Sequence, residues 1–316
     1  MKRFPSSSTG STGEVLAGPV VDCHQHLWPE ALVELLRGRS TPPMMRGWTL
    51  HLDGEPAYDA DSAQHDAGQR RKTNVADGID RTLYSLSCSL GLESLTPDES
   101  APMLAAWHGL ADALGDGDAI WAAPALVDPD PDELAATLAH PRVIGLQVPA
   151  TAMADPATLE ATAPVLAVAE AADLPVLVHP GPVPPGAGAV PSWWPALTSY
   201  TAQLQAAWFA WHVAGRALLP RLRIAYVGLA GLAPLHHERL GQRGGALGPI
   251  DPGVHYETSS YGTRAIDALV RVVGVDPLVH GSDRPYAVPT DPGLGGAFGH
   301  ALFVTNPHHL LNGGTR

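Results

Sequence analysis

The sequence predicts an α/β fold, a (β/α)₈ TIM barrel with long loop insertions after strands one and five. Three observations carry this prediction. Eight short apolar runs suited to strands recur along the chain, helical segments alternate with them, and several runs end in chemically capable side chains. Parallel strands need crossover helices, and eight of them close a barrel whose working residues collect at the carboxyl ends. An open doubly wound sheet is the alternative, but it usually places a glycine-rich phosphate turn after its first strand. Here that position is His24-Gln25-His26.

The first strand is Val20-Val21-Asp22-Cys23-His24-Gln25-His26-Leu27-Trp28. A long insertion over residues 29–76 follows, opening with a short helical pattern at Ala31, Leu32, Leu35 and Leu36. It passes into Pro42-Pro43-Met44-Met45-Arg46-Gly47-Trp48, where the prolines exclude a regular helix or a central strand. A loop of this length in a compact domain is usually a lid or a binding loop. Strand two spans 79–87, and Met103, Trp107, Leu110, Ala111 and Leu114 keep a helical period after it. Strand three covers 119–126, a short helix 131–139, strand four 143–148, and a helix 158–172.

Pro175-Val176-Leu177-Val178 is an apolar run of the kind buried on both faces, and it delivers His179 as strand five. The second insertion, 180–199, is rich in proline and holds Trp193 and Trp194. A helix over 200–218, strand six over 222–227, a helix over 232–240, strand seven over 254–258 and a helix over 265–273 complete the alternation. Leu278-Val279-His280-Gly281-Ser282-Asp283 is strand eight, with a last helical stretch at 301–311.

Composition narrows the function. Nineteen basic against 32 acidic side chains give a net charge of −13, which repels nucleic acid and anionic membranes and leaves a small molecule as the expected partner. Lys2 and Lys72 are the only lysines, so a Schiff-base or phosphate-cradling lysine has almost no candidate. Cys23 and Cys88 are too few for a disulfide framework or a cysteine-rich zinc site and read as reduced core thiols. Residues 1–18 read as a flexible tail and 19–316 as one domain. The tail lacks the apolar stretch of a secretion signal, and no run of about 18 apolar residues suggests a membrane span, so a cytoplasmic protein is expected.

On a strand, residues two apart point to the same side, so His24 and His26 can present imidazoles to one ion. His179 and Asp283 stand at the ends of strands five and eight, on the same face of a barrel. Three neutral imidazoles and a carboxylate suit one divalent first-row ion, Zn²⁺ first and Mn²⁺ as the alternative.

The joint order of His24-Gln25-His26, His179-Pro180 and Gly281-Ser282-Asp283-Arg284-Pro285-Tyr286 resembles the amidohydrolase superfamily. More narrowly, it is similar to the amidohydrolase-related branch that includes aminocarboxymuconate-semialdehyde decarboxylase and resorcylate-type decarboxylases. The resemblance runs from about residue 20 to 311. It implies that His24, His26 and His179 hold a metal, and that Asp283 ligates it or moves a proton as the catalytic residue.

Two departures stand out. Binuclear members carry a carboxylated lysine at the end of strand four, where this chain has Gln147-Val148-Pro149, so one metal is expected. Many members carry a histidine at the end of strand six, and Gly228 occupies that position here. Asp283 then acts alone, or a residue such as His212 or Tyr226 substitutes.

Arg46, Trp48, Trp193, Trp194 and Arg284 are the candidate substrate-binding residues. Loop aromatics line pockets or meet another subunit, and arginine forks pair with carboxylates. Arg284 has a competing role as a brace of the strand-eight loop. His236-His237-Glu238 reads as a solvated helix face, His280 as a core or supporting residue, and Cys23 as a small core hydrophobe.

The first functional expectation is a mononuclear metal-dependent hydrolase acting on a C–N or ester/lactone bond of a small organic substrate. The alternative is a metal-dependent non-oxidative decarboxylase of an aromatic or unsaturated carboxylic acid. A third reading, from another class, is a binding protein on a barrel that lost its base. The bulky apolar insertions are also compatible with a homodimer.

Overall fold

In the computed structural model, residues 18–186, 189–289 and 292–313 are described. The tail expected over 1–18 therefore lies outside them, except for Gly18. Eight parallel strands run β1 (Val21–His26), β2 (Arg81–Ser85), β3 (Ala119–Ala122), β4 (Val143–Pro149), β5 (Val176–His179), β6 (Ile224–Tyr226), β7 (Val254–Glu257) and β8 (Leu278–Val279). Each pairs with the next in that order, as the alternation of strand and helix predicts. Every residue of β1, β3, β5 and β7 is buried, and β3 and β5 accordingly read as near-continuous apolar runs, whereas β1 and β7 bury polar side chains as well.

The barrel closes between β8 and β1 through backbone bonds just beyond the β8 ladder. Cys23 N–H donates to His280 O (2.8 Å), Asp283 N–H to His24 O (2.9 Å) and His26 N–H to Arg284 O (2.6 Å). The closing seam is thus made of the segments that carry His24, His26 and Asp283. Arg70, almost fully buried, staples both lips by donating to the Gln25 side chain, His26 O and Arg284 O.

Arg70 belongs to a helix, Ala67–Ala76, inside the stretch expected to be loop. Asp66 caps it by accepting from Gln69 N–H, and its buried members are the polar Arg70 and Asn74. Apolar periodicity therefore has nothing to report there. The same insertion carries a small antiparallel sheet, with Met44–Arg46 and Thr49–His51 joined at Gly47-Trp48, where Gly47 has φ +64°, and Tyr58–Asp59 completing it. Met44–Arg46 is an edge strand, in keeping with the exclusion of a central one.

The helix expected over 232–240 begins later, at His237–Gln242. Gly228, Leu229, Ala230, Gly231 and Leu232 instead hold left-handed backbone, φ +52° to +65°. Gly231 is needed there, because a Cβ would sit 2.5 Å from Thr201 O of the helix Ser199–Ala210. Leu229, Ala230 and Leu232 have no such freedom, and burial of Leu229 and Ala230 in the core offsets their strain.

The two long insertions meet above the barrel. A Cβ on Gly54 would lie 2.5 Å from the Val183 carbonyl carbon and 2.7 Å from Pro184 O, so only glycine allows this approach. Tyr200 Oη donates to Glu55 Oε1 (2.7 Å), tying the first insertion to the helix that follows the second. Among the described residues no helix is long and apolar enough to cross a membrane.

Candidate metal centre

His24, His26 and His179 converge at the carboxyl ends of β1 and β5, each offering a ligand atom within 4.8 Å of the others. The Nε2 atoms of His24 and His26 face each other at 3.0 Å, and the three rings stand edge-on with centroids 4.8, 5.3 and 5.0 Å apart. The opposite nitrogens are all engaged: Nδ1 meets Glu257 Oε2 in His24 (3.3 Å), Ser85 O in His26 (2.9 Å) and Pro180 O in His179 (2.9 Å). A carboxylate or carbonyl at Nδ1 keeps the proton there and turns the Nε2 lone pair outward, as metal-binding histidines require. The residues fit one ion.

Their electrostatics agree. Burial, with His24 as a neighbour, holds His26 well below the ordinary imidazole value, and burial with His26 and His24 does the same for His179. Both therefore stay in the neutral, ligand-competent form. Burial also pulls His24 down, but the hydrogen bond and charge of Glu257 outweigh it and the net direction is upward.

Asp283 stands beside the three histidines rather than among the grouped ligand atoms, with Oδ1 3.1 Å from His26 Nε2 and 3.8 Å from His24 Nε2. Its backbone is left-handed at φ +56°, a strained choice for a non-glycine residue. The seam bond to His24 O holds it, and its own carbonyl accepts from Tyr286 and Ala287. Burial raises the Asp283 pKa against the opposing charges of His24 and His179.

An aromatic wall flanks these groups. Tyr286 stands 5.1 Å from the His26 ring and 5.5 Å from Tyr58, and its hydroxyl meets Ser87 Oγ (3.2 Å), which also accepts from Trp28 Nε1 (3.3 Å). Trp28 stacks on His65 at 4.4 Å, and burial lowers the His65 pKa to about 4, so this imidazole is neutral.

The family model for amidohydrolases matches residues 21–301, nearly the whole barrel. The chain belongs to the amidohydrolase family. No curated protein matches it. Among solved structures, this chain resembles the apo form of IDCase from Metarhizium anisopliae, at 18% identity and TM-score 0.72 over 93% of this chain and 97% of the other. It also resembles the 5-carboxyvanillate decarboxylase of Novosphingobium aromaticivorans in complex with manganese and 4-hydroxy-3-methoxy-5-nitrobenzoic acid (17%, TM-score 0.70, 96% and 99%). A third is the 2,6-dihydroxybenzoate decarboxylase from Rhizobium (15%, TM-score 0.64, 93% and 99%). At these identities the likeness is one of fold.

The remaining sequence candidates separate. Trp48 joins the aromatic stack through His65 (5.8 Å). Arg46 lies apart, donating to the carbonyls of Arg37, Arg39 and Met45 within the first insertion. Arg284 forms an ion pair with Asp77 (2.5 Å), the bracing role. Trp193 and Trp194 pack side by side, half exposed. His212 bonds Ala246 O and stacks on Trp208, and Tyr226 is buried within β6, so neither is seen among the groups around the three histidines. His280 and Cys23 are buried, as expected of core residues.

Tyr286, which the sequence offers only as the end of the strand-eight motif, and Ser87 and Glu257 gain a place at the site from the structure alone. A carboxylate closing an apolar strand at the active end of a barrel was the available signal for Glu257. Gln147 is fully engaged where a bridging lysine would stand, bonding Leu86 N–H (2.8 Å), Leu86 O (3.0 Å) and Cys88 Sγ (3.0 Å). That arrangement matches the expectation of one ion rather than two.

Proposed function

We propose that this amidohydrolase-family protein is a metal-dependent non-oxidative decarboxylase of a small aromatic or unsaturated carboxylic acid. The observation that carries the proposal is Asp283, whose Oδ1 lies 3.1 Å from His26 Nε2 on the side to which the three imidazoles converge, with Gly228 in place of a second polar side chain. Such a site is poorly equipped to activate water and protonate an amine leaving group together, yet it has what one proton transfer to carbon needs. The decarboxylase names and aromatic-acid ligands of the neighbouring structures support this order of preference over hydrolysis.

His24, His26 and His179 would hold the ion through Nε2. A divalent ion bound there would supply Lewis acidity toward a carboxylate-bearing substrate. Tyr58 and Tyr286 would flank a planar ring, with Trp28 packed beside Tyr286. Protonated Asp283 delivers its proton to the carbon that bears the carboxylate. The bond to the carboxylate then breaks, its electron pair returns to the ring, carbon dioxide leaves, and Asp283 regains a proton from solvent.

The test is a panel of ortho-hydroxylated aromatic acids beside amides and lactones, with the protein loaded in turn with Zn²⁺ and Mn²⁺. Equal amounts of carbon dioxide and arene are expected, with deuterium at the vacated carbon in heavy water. Hydrolysis of an amide or lactone without carbon dioxide from any acid would overturn the proposal.

A further inference from the structure

We propose that Glu257 is the positioning residue of the metal centre, a strand-end carboxylate that orients His24 and strengthens it as a ligand. The inference rests on the reading that His24, His26 and His179 bind an ion. Glu257 is completely buried at the end of β7. Its Oε2 accepts from Ser259 Oγ (2.8 Å) and Gly228 N–H (3.1 Å), and its Oε1 accepts from Ser259 N–H. Three donors thus offset the cost of burying the carboxylate and fix its plane. The same Oε2 lies 3.3 Å from His24 Nδ1.

The other two histidines have neutral carbonyls at Nδ1, so the three are not equivalent. A carboxylate behind an imidazole fixes its tautomer and makes its outer nitrogen the more basic donor. His24 is accordingly assigned as the strongest of the three ligands.

This assignment also gives two glycines a purpose. A Cβ on Gly281 would fall 2.5 Å from Glu257 Cδ and 2.6 Å from Cγ, so the glycine before Ser282-Asp283 is the space the carboxylate occupies. Gly228, at the position where many family members carry a histidine, spends its N–H on Glu257. β6 therefore serves the centre through a backbone donor acting on Glu257, and the path from β6 and β7 to the centre runs through His24.

Metal affinity in a chelator competition, with the d–d spectrum of the Co²⁺-loaded protein, tests the proposal without recourse to turnover. Glu257→Gln keeps the shape and removes the charge. It is expected to weaken Co²⁺ and Zn²⁺ binding by about 10–100-fold and to shift the Co²⁺ spectrum. Gly281→Ala displaces the carboxylate without altering it and is expected to give a similar loss. In a Glu257→Ala background the Gly281→Ala change should add nothing further. Affinity within twofold of the parent and an unchanged spectrum in Glu257→Gln would overturn the proposal. Should that variant fail to fold, Ser259→Ala decides, with a several-fold loss expected and no loss contradicting it. A parent that binds metal but decarboxylates nothing removes the reaction proposed above and leaves this assignment standing. A parent that binds no metal removes both.

Discussion

Glu257 and Glu93 are both sealed from solvent at the carboxyl end of the barrel, and their surroundings are opposite. Glu257 has three donors and an imidazole. Glu93, in the turn after β2, has no well-aligned hydrogen bond to either carboxyl oxygen among the described residues, only the weak donors of Cys88, Gln147 and its own backbone nearby. The adjacent amide of Gln147 is already committed to Leu86 and Cys88. Burial consequently pushes the Glu93 pKa up to about 7, with Cys88, its own backbone and Gln147 pulling the other way. Burial alone does not mark a functional carboxylate. What marks it is a set of donors that fix its plane and aim it at another group. By that measure Glu257 stands on the proposed chemical side of the comparison, and Glu93 on the side of packing.

The largest effect should come from the chemical side. His179→Ala removes one of three imidazoles and is expected to lose the ion and at least about a thousandfold in turnover, read by elemental analysis beside carbon dioxide release. Asp283→Asn keeps the imidazoles and removes the acid. Turnover should fall by about 10²–10⁴ with metal content within a factor of two of the parent.

On the other side, Glu93→Gln should stabilise the protein. A carboxyl held near 7 in the fold keeps its proton where the unfolded chain, near the ordinary 4.5, has lost it. Folding then takes up a proton between those values, so stability falls as pH rises through that window and levels off above it. Urea melts at pH 4 and pH 8 should show the variant ahead at pH 8 by at most about 3 kcal/mol and nearly equal at pH 4. The smallest effect is expected for Arg284→Gln, which opens the pair with Asp77. It should cost about 1 kcal/mol of stability and leave KM within twofold, and a tenfold rise in KM would make Arg284 a substrate residue after all.

Much of this was legible because the signals are local. His24 and His26 share a face by the two-residue period of a strand, and His179 and Asp283 stand where apolar runs end. Elements whose signal is not apolar escaped. The helix Ala67–Ala76 turns the polar Arg70 and Asn74 inward, so periodicity misreads it. The left-handed run at 228–232 is hinted at only by Gly228 and Gly231. Glu257 escaped for a different reason. Its partner, His24, is 233 positions away in the chain, and only closure of the barrel brings the two together.

The most direct measurement is elemental analysis of protein purified without chelator or affinity metal, set beside the His179→Ala variant. Close to one Zn or Mn per chain in the parent, and almost none in the variant, is the predicted result. No metal in the parent, and none taken up on titration, would contradict the account of His24, His26, His179 and Asp283 as a working centre.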